Sequence, residues 1–327
     1  MTAIADIWTA LERSTREERG WLTRRLNPNA LVALYAAVAG QSGQIALLLE
    51  VDAEYPAARG FSVRAIPQVG NAVRIELALT AQSYRNIFAV LVDDVVSCVT
   101  GCSSESEAAA IFLSRLHIWQ EFMRRYSPEG LSLSEQVGLV SELYVLNEFL
   151  LDHFSEMQAV SAWTGPLDGL HDFELGRFHI EVKGSAASPP TTFNVSHVAQ
   201  LEPAEHQSLL LTYLAWSISS EGATTLPALV EGIRSKLSDR DSAARMQFDE
   251  LLINAGYLDI HESIYRNSAF HKTLQYWFSV TEGFPRIRAT DLQAGILDCS
   301  YIVDIAACQP FVVSEKQAFE MIAGRQA

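Results

Sequence analysis

Hydrophobic and polar positions change period several times along the chain, and those changes outline its organisation. Apolar residues at helical spacing predict an amphipathic helix over 3–18, after which "RLNPN" (25–29) breaks the pattern. Five short apolar runs follow: "ALVALYAAV" (30–38), "QIALLLEV" (44–51), "FSVRAI" (61–66), "AVRIELAL" (72–79) and "IFAVLVDDVVSCV" (87–99). Clusters of Gly, Ser, Pro or Asn separate them, so they read as strands of a β-rich N-terminal domain spanning 1–127. In this reading Asp93 and Asp94 mark a turn or a sheet edge, and "GQSGQ" (40–44) is a hairpin turn. The stretch 103–126 opens with Ser and Glu and ends with Arg124 and Arg125, the charge order of a long helix leaving that domain. Pro128 and Gly130 mark the boundary.

From 133 to 154 the chain is apolar around most of a helical circumference, which predicts a helix packed inside a second domain. A hairpin comes next, "HDFELGRFHIEVKGS" (171–185), then a short helix around "VSHVAQLEP" and an apolar strand, "SLLLTYLAWSI" (208–218). This second domain spans 128–220. Helices over 224–237 and 241–256, with strands at 272–280 and 295–308, make an α/β C-terminal region, 221–327. The expected fold is α+β overall, with a central mixed sheet flanked by helices.

The hairpin carries the chemistry. Gly176-Arg177 suits a two-residue type II′ turn, whose first central position has positive φ. Counting outward pairs Leu175 with Phe178, Glu174 with His179, Phe173 with Ile180 and Asp172 with Glu181. One face then holds Asp172, Glu174, His179, Glu181 and Lys183; the other holds Phe173, Ile180 and Val182. Like charges directly opposed across strands repel. A cation is expected between Asp172 and Glu181, from Lys183 and from a hard divalent ion such as Mg²⁺. The bland alternative is a half-exposed hairpin with a solvated polar face. Against it, Glu142 lies in a helix that is otherwise largely apolar, where a buried carboxylate requires a cation or donors. Gly184 and Ser185, both small, would leave the strand end open to a large ligand.

Composition narrows the function classes. A net charge of −15 opposes a broad nucleic-acid-coating surface, though not a local cleft. Five arginines over 12–25 offer a phosphate patch or, more simply, a helix with compensating charges such as Glu12 and Arg16. The four cysteines (98, 102, 299, 308) lack zinc-ligand spacing and are too few for a disulfide framework. No segment reads as a signal peptide or membrane span, so the chain reads as cytoplasmic with no membrane partner. Phosphate-loop, serine-hydrolase and dinucleotide motifs are missing from the sequence.

Asp172 followed by Glu181-Val182-Lys183, with Glu142 on the preceding helix and a helix and strand following, resembles the PD-(D/E)XK nuclease superfamily. Within it, His171-Asp172-Phe173, Glu181-Val182-Lys183 and Gln200-Leu201 are similar to a bacterial family of unknown function grouped with those nucleases. The resemblance implies a restriction-endonuclease-like core and Mg²⁺-dependent DNA cleavage, with Mn²⁺ as a substitute, in a bacterial restriction or anti-phage system. It implies Asp172, Glu181 and the Val182 carbonyl as metal ligands, Lys183 as the residue that orients or deprotonates water, and Glu142 beside a second metal or a metal-bound water. Gln200 and His197 would approach the phosphate or Lys183, with Ser185 near the substrate. Partners implied are DNA, other defence-system proteins and a second copy of the chain. His171 stands where the superfamily pattern has Pro, and Asp168 in "GPLDG" is a competing, second-ranked acid. The rival function is a catalytically weak DNA-binding or scaffold subunit.

Overall fold

The computed structural model describes residues 3–14, 20–50, 60–67, 73–203, 207–221, 224–237 and 242–323. The chain divides into two compact units, Met1–Gly130 and Leu131–Ala327.

The first unit contains α1 (Ile4–Ser14), β1 (Trp21–Arg25), β2 (Leu34–Ala39), β3 (Ile45–Leu49), β4 (Phe61–Pro67), β5 (Val73–Leu79), α2 (Arg85–Thr100) and α3 (Glu105–Arg125). Its strands form an antiparallel sheet in the order β1-β2-β3-β5-β4, with residues 40–42 as the β2–β3 turn. The run 87–99, expected as a strand, is the core of helix α2. Its buried residues, Ile87, Phe88, Leu91, Val92, Val95, Val96 and Val99, recur at intervals of three and four, a helical period that its many valines disguise. Asp94 is therefore neither a turn nor an edge residue. It accepts hydrogen bonds from Arg115 Nε and Nη2, each at 2.9 Å, and from Trp119 Nε1 at 2.8 Å, which ties α2 to α3. Helix α3 starts where Ser104 accepts from the Glu107 amide and ends at Arg124 and Arg125, as the charge order predicts. Of the arginine-rich stretch, Arg24 and Arg25 lie exposed on β1, while Arg16 and Arg19 fall outside the described residues.

The second unit runs α4 (Leu133–Val145), continued by a π-helical turn (Leu146–Leu150), then α5 (Glu156–Ala162), β6 (Phe173–Leu175), β7 (Phe178–Ser185), β8 (Thr192–Val195) and β9 (Ser208–Ser219). It continues with α6 (Leu226–Lys236), α7 (Ala243–Asn254), α8 (Glu262–Tyr265), β10 (Ala269–Ser279), β11 (Tyr301–Asp304), α9 (Ile305–Cys308), β12 (Val312–Val313) and α10 (Glu315–Ala323). One mixed sheet, ordered β12-β10-β9-β7-β6, is antiparallel except for the parallel β7–β9 pair. Residues 221–327, expected as an α/β region packing on the core, supply β10 and β12 to the core sheet itself. Within 295–308, expected as one strand, the chain is extended only at β11, which pairs with β8. It then turns into α9, where Asp304 caps the Ala306 amide at 2.8 Å. The helix expected around 195–203 is a single 3₁₀ turn, Val198–Leu201.

Two sequence features fix the frame around the hairpin. Strand β9 is buried over eight consecutive residues, as a central parallel-paired strand must be. Helix α4 begins with a reciprocal capping box between Ser132 and Glu135 and lies directly against β7. At Gly184 a Cβ would overlap Ser141 Oγ and sit 2.9 Å from the Val137 carbonyl oxygen. Gly184 is thus the point of closest helix–strand approach, a reason for a small residue that the open-ended strand did not anticipate.

Candidate active site

The hairpin forms in the register counted from its turn: Leu175 pairs with Phe178, Glu174 with His179 and Phe173 with Ile180. Gly176 has φ 65° while Arg177 stays out of the left-handed region, the requirement of a type II′ turn. The ladder stops at Phe173, however, so Asp172 and Glu181 are not a ladder pair. Phe173 bridges on its other edge to Trp163, and the Asp172 carbonyl accepts from the Thr164 and Gly165 amides at 3.0 and 3.1 Å. The Asp172 side chain reaches across instead, and its Oδ2 accepts from the Val182 amide at 2.7 Å. A strand residue directs its N–H and C=O to the same edge. The Val182 carbonyl therefore points toward this gap beyond the end of β6.

Alternation along β7 then divides the roles. Gly184 meets α4, whereas Lys183, on the opposite face, reaches Gln200 in the 3₁₀ turn. Glu181 shares the Lys183 face and is only 2% exposed, so the solvated polar face of the bland reading is not what forms. Lys183 Nζ lies 2.7 Å from Glu181 Oε1 and donates to Gln200 Oε1 at 3.3 Å. That same Gln200 oxygen also accepts from the Ser196 amide at 2.9 Å. Glu142 arrives from α4, its Oε2 accepting from Trp163 Nε1 at 2.8 Å. Gly165 packs between two of the acids: a Cβ there would lie 3.0 Å from Asp172 Oδ1 and 3.2 Å from Glu142 Oε2.

The electrostatics follow from three acids sharing one lysine. Loss of hydration, then repulsion from Asp172, pushes the Glu181 carboxyl up to about 8 against the pull of Lys183. Asp172 is raised to about 6 by loss of hydration, partly offset by the Val182 N–H and Lys183. Glu142 is raised well above the ordinary carboxylate range by loss of hydration and by the charge of Asp172, with the Trp163 N–H opposing. Without a cation the cluster holds protons that it would release to one. All its donors are hard oxygens, the set that suits a divalent cation such as Mg²⁺.

Other sequence candidates go elsewhere. His197 caps the 3₁₀ turn, is 65% exposed at its side chain and pairs with Asp298 at 2.7 Å, so it and Gln200 have different partners. Ser185 Oγ accepts from the Ala187 amide at 3.1 Å. Asp168, the competing acid, is exposed in the left-handed region at φ 58°. Trp163 and Gly165 escaped the sequence reading because a loop tryptophan and a loop glycine carry no periodic signal. His171, read from the sequence only as part of the His171-Asp172-Phe173 motif, lies with its Nδ1 2.9 Å from Nδ1 of His179.

A protein-family model described as "Putative PD-(D/E)XK family member, (DUF4420)" matches residues 4–306. The chain belongs to this family. No curated protein and no solved structure matches it. The PD-(D/E)XK membership accords with the mixed sheet flanked by helices and identifies the fold as restriction-endonuclease-like. Nucleases of this superfamily use divalent metals. The family match spans both units, so the first unit is part of what defines this PD-(D/E)XK family.

Proposed function

We propose that the protein is a Mg²⁺-dependent endonuclease that hydrolyses phosphodiester bonds of DNA, acting with other proteins in a bacterial restriction or anti-phage system. The supporting observation is the gap at the end of β6, where Glu142, Asp172, Glu181 and the Val182 carbonyl edge meet one ordered lysine. In this reading Asp172, Glu181 and the Val182 carbonyl hold the cation, and Glu142 holds a second cation or a water beside it. A divalent ion bound there would acidify water and neutralise charge growing on the phosphate.

The chain's own residues do the rest. Asp172 is oriented by the Val182 amide, so Oδ1 is left to face the gap. Lys183 is held between Glu181 and Gln200, where its ammonium orients the attacking water. Gln200 is fixed in turn by the Ser196 amide and acts as a positioning residue for Lys183. Ser185, two residues beyond Lys183 on β7, and His197, at the start of the turn that carries Gln200, are the nearest of the remaining candidates for contacts to the phosphate backbone. The defence setting and the partner proteins rest on the family resemblance.

A second reading, a DNA-binding or scaffold subunit that needs partners, is favoured by one observation, the net charge of −15. Plasmid nicking separates the two. With Mg²⁺ or Mn²⁺ the wild type should nick, and Asp172→Ala and Lys183→Ala should each lower the rate by at least about 10²-fold. Nicking by both variants at the wild-type rate would sink the endonuclease assignment.

A further inference from the structure

Beside the carboxylate site lies a second constellation of different chemistry. His171, Glu174 and His179 each present one ligand atom, and these atoms all lie within 4.8 Å of one another. His171 and His179 are 1% and 6% exposed, so neither nitrogen pair is a solvated surface group. Their Nδ1 atoms stand 2.9 Å apart and their ring centroids 4.8 Å apart. Two nitrogens on one ion at about 2.0–2.1 Å, subtending roughly 90–110°, are separated by about 2.9–3.4 Å. At 2.9 Å the pair stands at the 90° end of that range, and a tetrahedral ion would need the two nitrogens about 0.4–0.5 Å further apart. Glu174 is the ladder partner of His179 and is partly exposed, which gives an ion an entry path.

The outer contacts agree with ligation. His179 Nε2 lies 3.3 Å from the Gly176 carbonyl oxygen. A ligating histidine commonly donates its distal N–H to a backbone carbonyl, which fixes the tautomer that offers the other nitrogen's lone pair. With the proton on Nε2, His179 Nδ1 offers its lone pair toward His171. A proton on His171 Nδ1 can bridge the two, but it leaves the buried His171 Nε2 as an acceptor facing the Gln200 backbone with no donor to satisfy it. A cation between the two Nδ1 atoms uses both lone pairs and draws in the Glu174 carboxylate.

We propose that His171, Glu174 and His179 bind a borderline divalent transition metal, Zn²⁺ foremost, at a site separate from the oxygen-only cluster. Imidazole donors select Zn²⁺ and its neighbours over Mg²⁺. His171 directly precedes Asp172, and His179 stands two residues before Glu181 on the same face of β7. An ion held there clips the two strands of the hairpin on which those acids are mounted. The inference does not depend on the nuclease reading.

The test is titration of the chelator-treated full chain with Co²⁺ and Zn²⁺, followed by the visible absorption of Co²⁺ and by competition with Zn²⁺. Wild type should bind one equivalent, with the absorption of a low-symmetry nitrogen- and oxygen-ligated ion that excess Mg²⁺ does not displace. Asp172→Ala should keep that binding. His179→Asn should raise the Kd by more than about 100-fold, beyond what loss of an outer-shell partner causes. Glu174→Gln, at a partly exposed position that should tolerate the change, should raise it by at least about tenfold. Two results overturn the proposal: no saturable binding by wild type, or binding that Asp172→Ala abolishes and Glu174→Gln leaves unchanged.

Discussion

Gly184→Ala tests the frame of the site with a single methyl group. A Cβ at residue 184 would overlap Ser141 Oγ, lie 2.9 Å from the Val137 carbonyl oxygen and 3.1 Å from Ser141 Cβ. Carbon and oxygen atoms in contact normally keep more distance than this, so α4 must withdraw from β7 or Ser141 must rotate. Ser141 is poorly placed to rotate. Its hydroxyl donates to the Val137 carbonyl at 2.7 Å and accepts from Trp216 Nε1 at 2.8 Å. Overpacking of this kind costs about 1–3 kcal/mol, and loss of the buried Trp216 hydrogen bond adds about 1 kcal/mol. Replacing glycine returns roughly 0.5–1 kcal/mol through the unfolded chain. The net expectation is a loss of about 1–3.5 kcal/mol, read as a lower urea midpoint with unchanged slope. Because Glu142 follows Ser141 on α4, any cleavage of the kind proposed should fall more than stability predicts. Ser141→Ala in the Gly184→Ala background removes the worst overlap and should recover part of the loss. A Gly184→Ala protein as stable and as active as wild type would refute the close-approach argument.

Two other outcomes follow from charge. Glu181 sits at about 8 in the folded chain against an ordinary 4.5, and Asp172 at about 6 against 3.8, so the folded state binds more protons than the unfolded one between about pH 4 and 8. Metal-free stability should therefore fall as pH rises through that window. A tenfold change in proton affinity is about 1.4 kcal/mol, so Glu181→Gln should remove a dependence on the order of a few kcal/mol. Melting curves in chelator from pH 5 to 8 check this. Mg²⁺ should stabilise wild type more at pH 8 than at pH 5, and a wild-type curve parallel to that of Glu181→Gln would contradict the assignment. In the first unit, Asp94→Ala removes the acceptor of three hydrogen bonds between α2 and α3 and should cost about 3–5 kcal/mol, measurable by chemical denaturation.

What the sequence made legible was local and periodic. The Gly176-Arg177 turn fixed the hairpin register because only a residue without Cβ takes positive φ there readily, and a two-residue loop permits one pairing. Helix α4, with Glu142 set among largely apolar residues, was equally readable. The run 87–99 failed because β-branched residues suggest a strand while their spacing of three and four belongs to a helix. The cross-strand pairing expected of Asp172 and Glu181 failed for a different reason. Whether a ladder continues one residue further depends on what approaches its outer edge, here Trp163 and the Thr164 and Gly165 amides. The ladder's end also lets the His171 ring reach His179, a contact that strand counting alone forbids.

The same ladder end bears on the net charge of −15, the strongest sequence argument against a nucleic-acid partner. Net charge governs long-range approach, and its effect is screened beyond roughly 8–10 Å at physiological salt. At contact range the sign is set locally. Around Asp172 three raised acids face one lysine already paired to Glu181, so the metal-free cluster retains protons and offers phosphate no uncommitted positive charge. On the proposed reading, one or two divalent ions exchange those protons for positive charge and turn the same oxygens into a phosphate-accepting surface. Substrate affinity should then depend on divalent cation far more steeply than on monovalent salt. This is the reverse of what a basic coating surface gives, since its affinity falls with the number of counterions it releases.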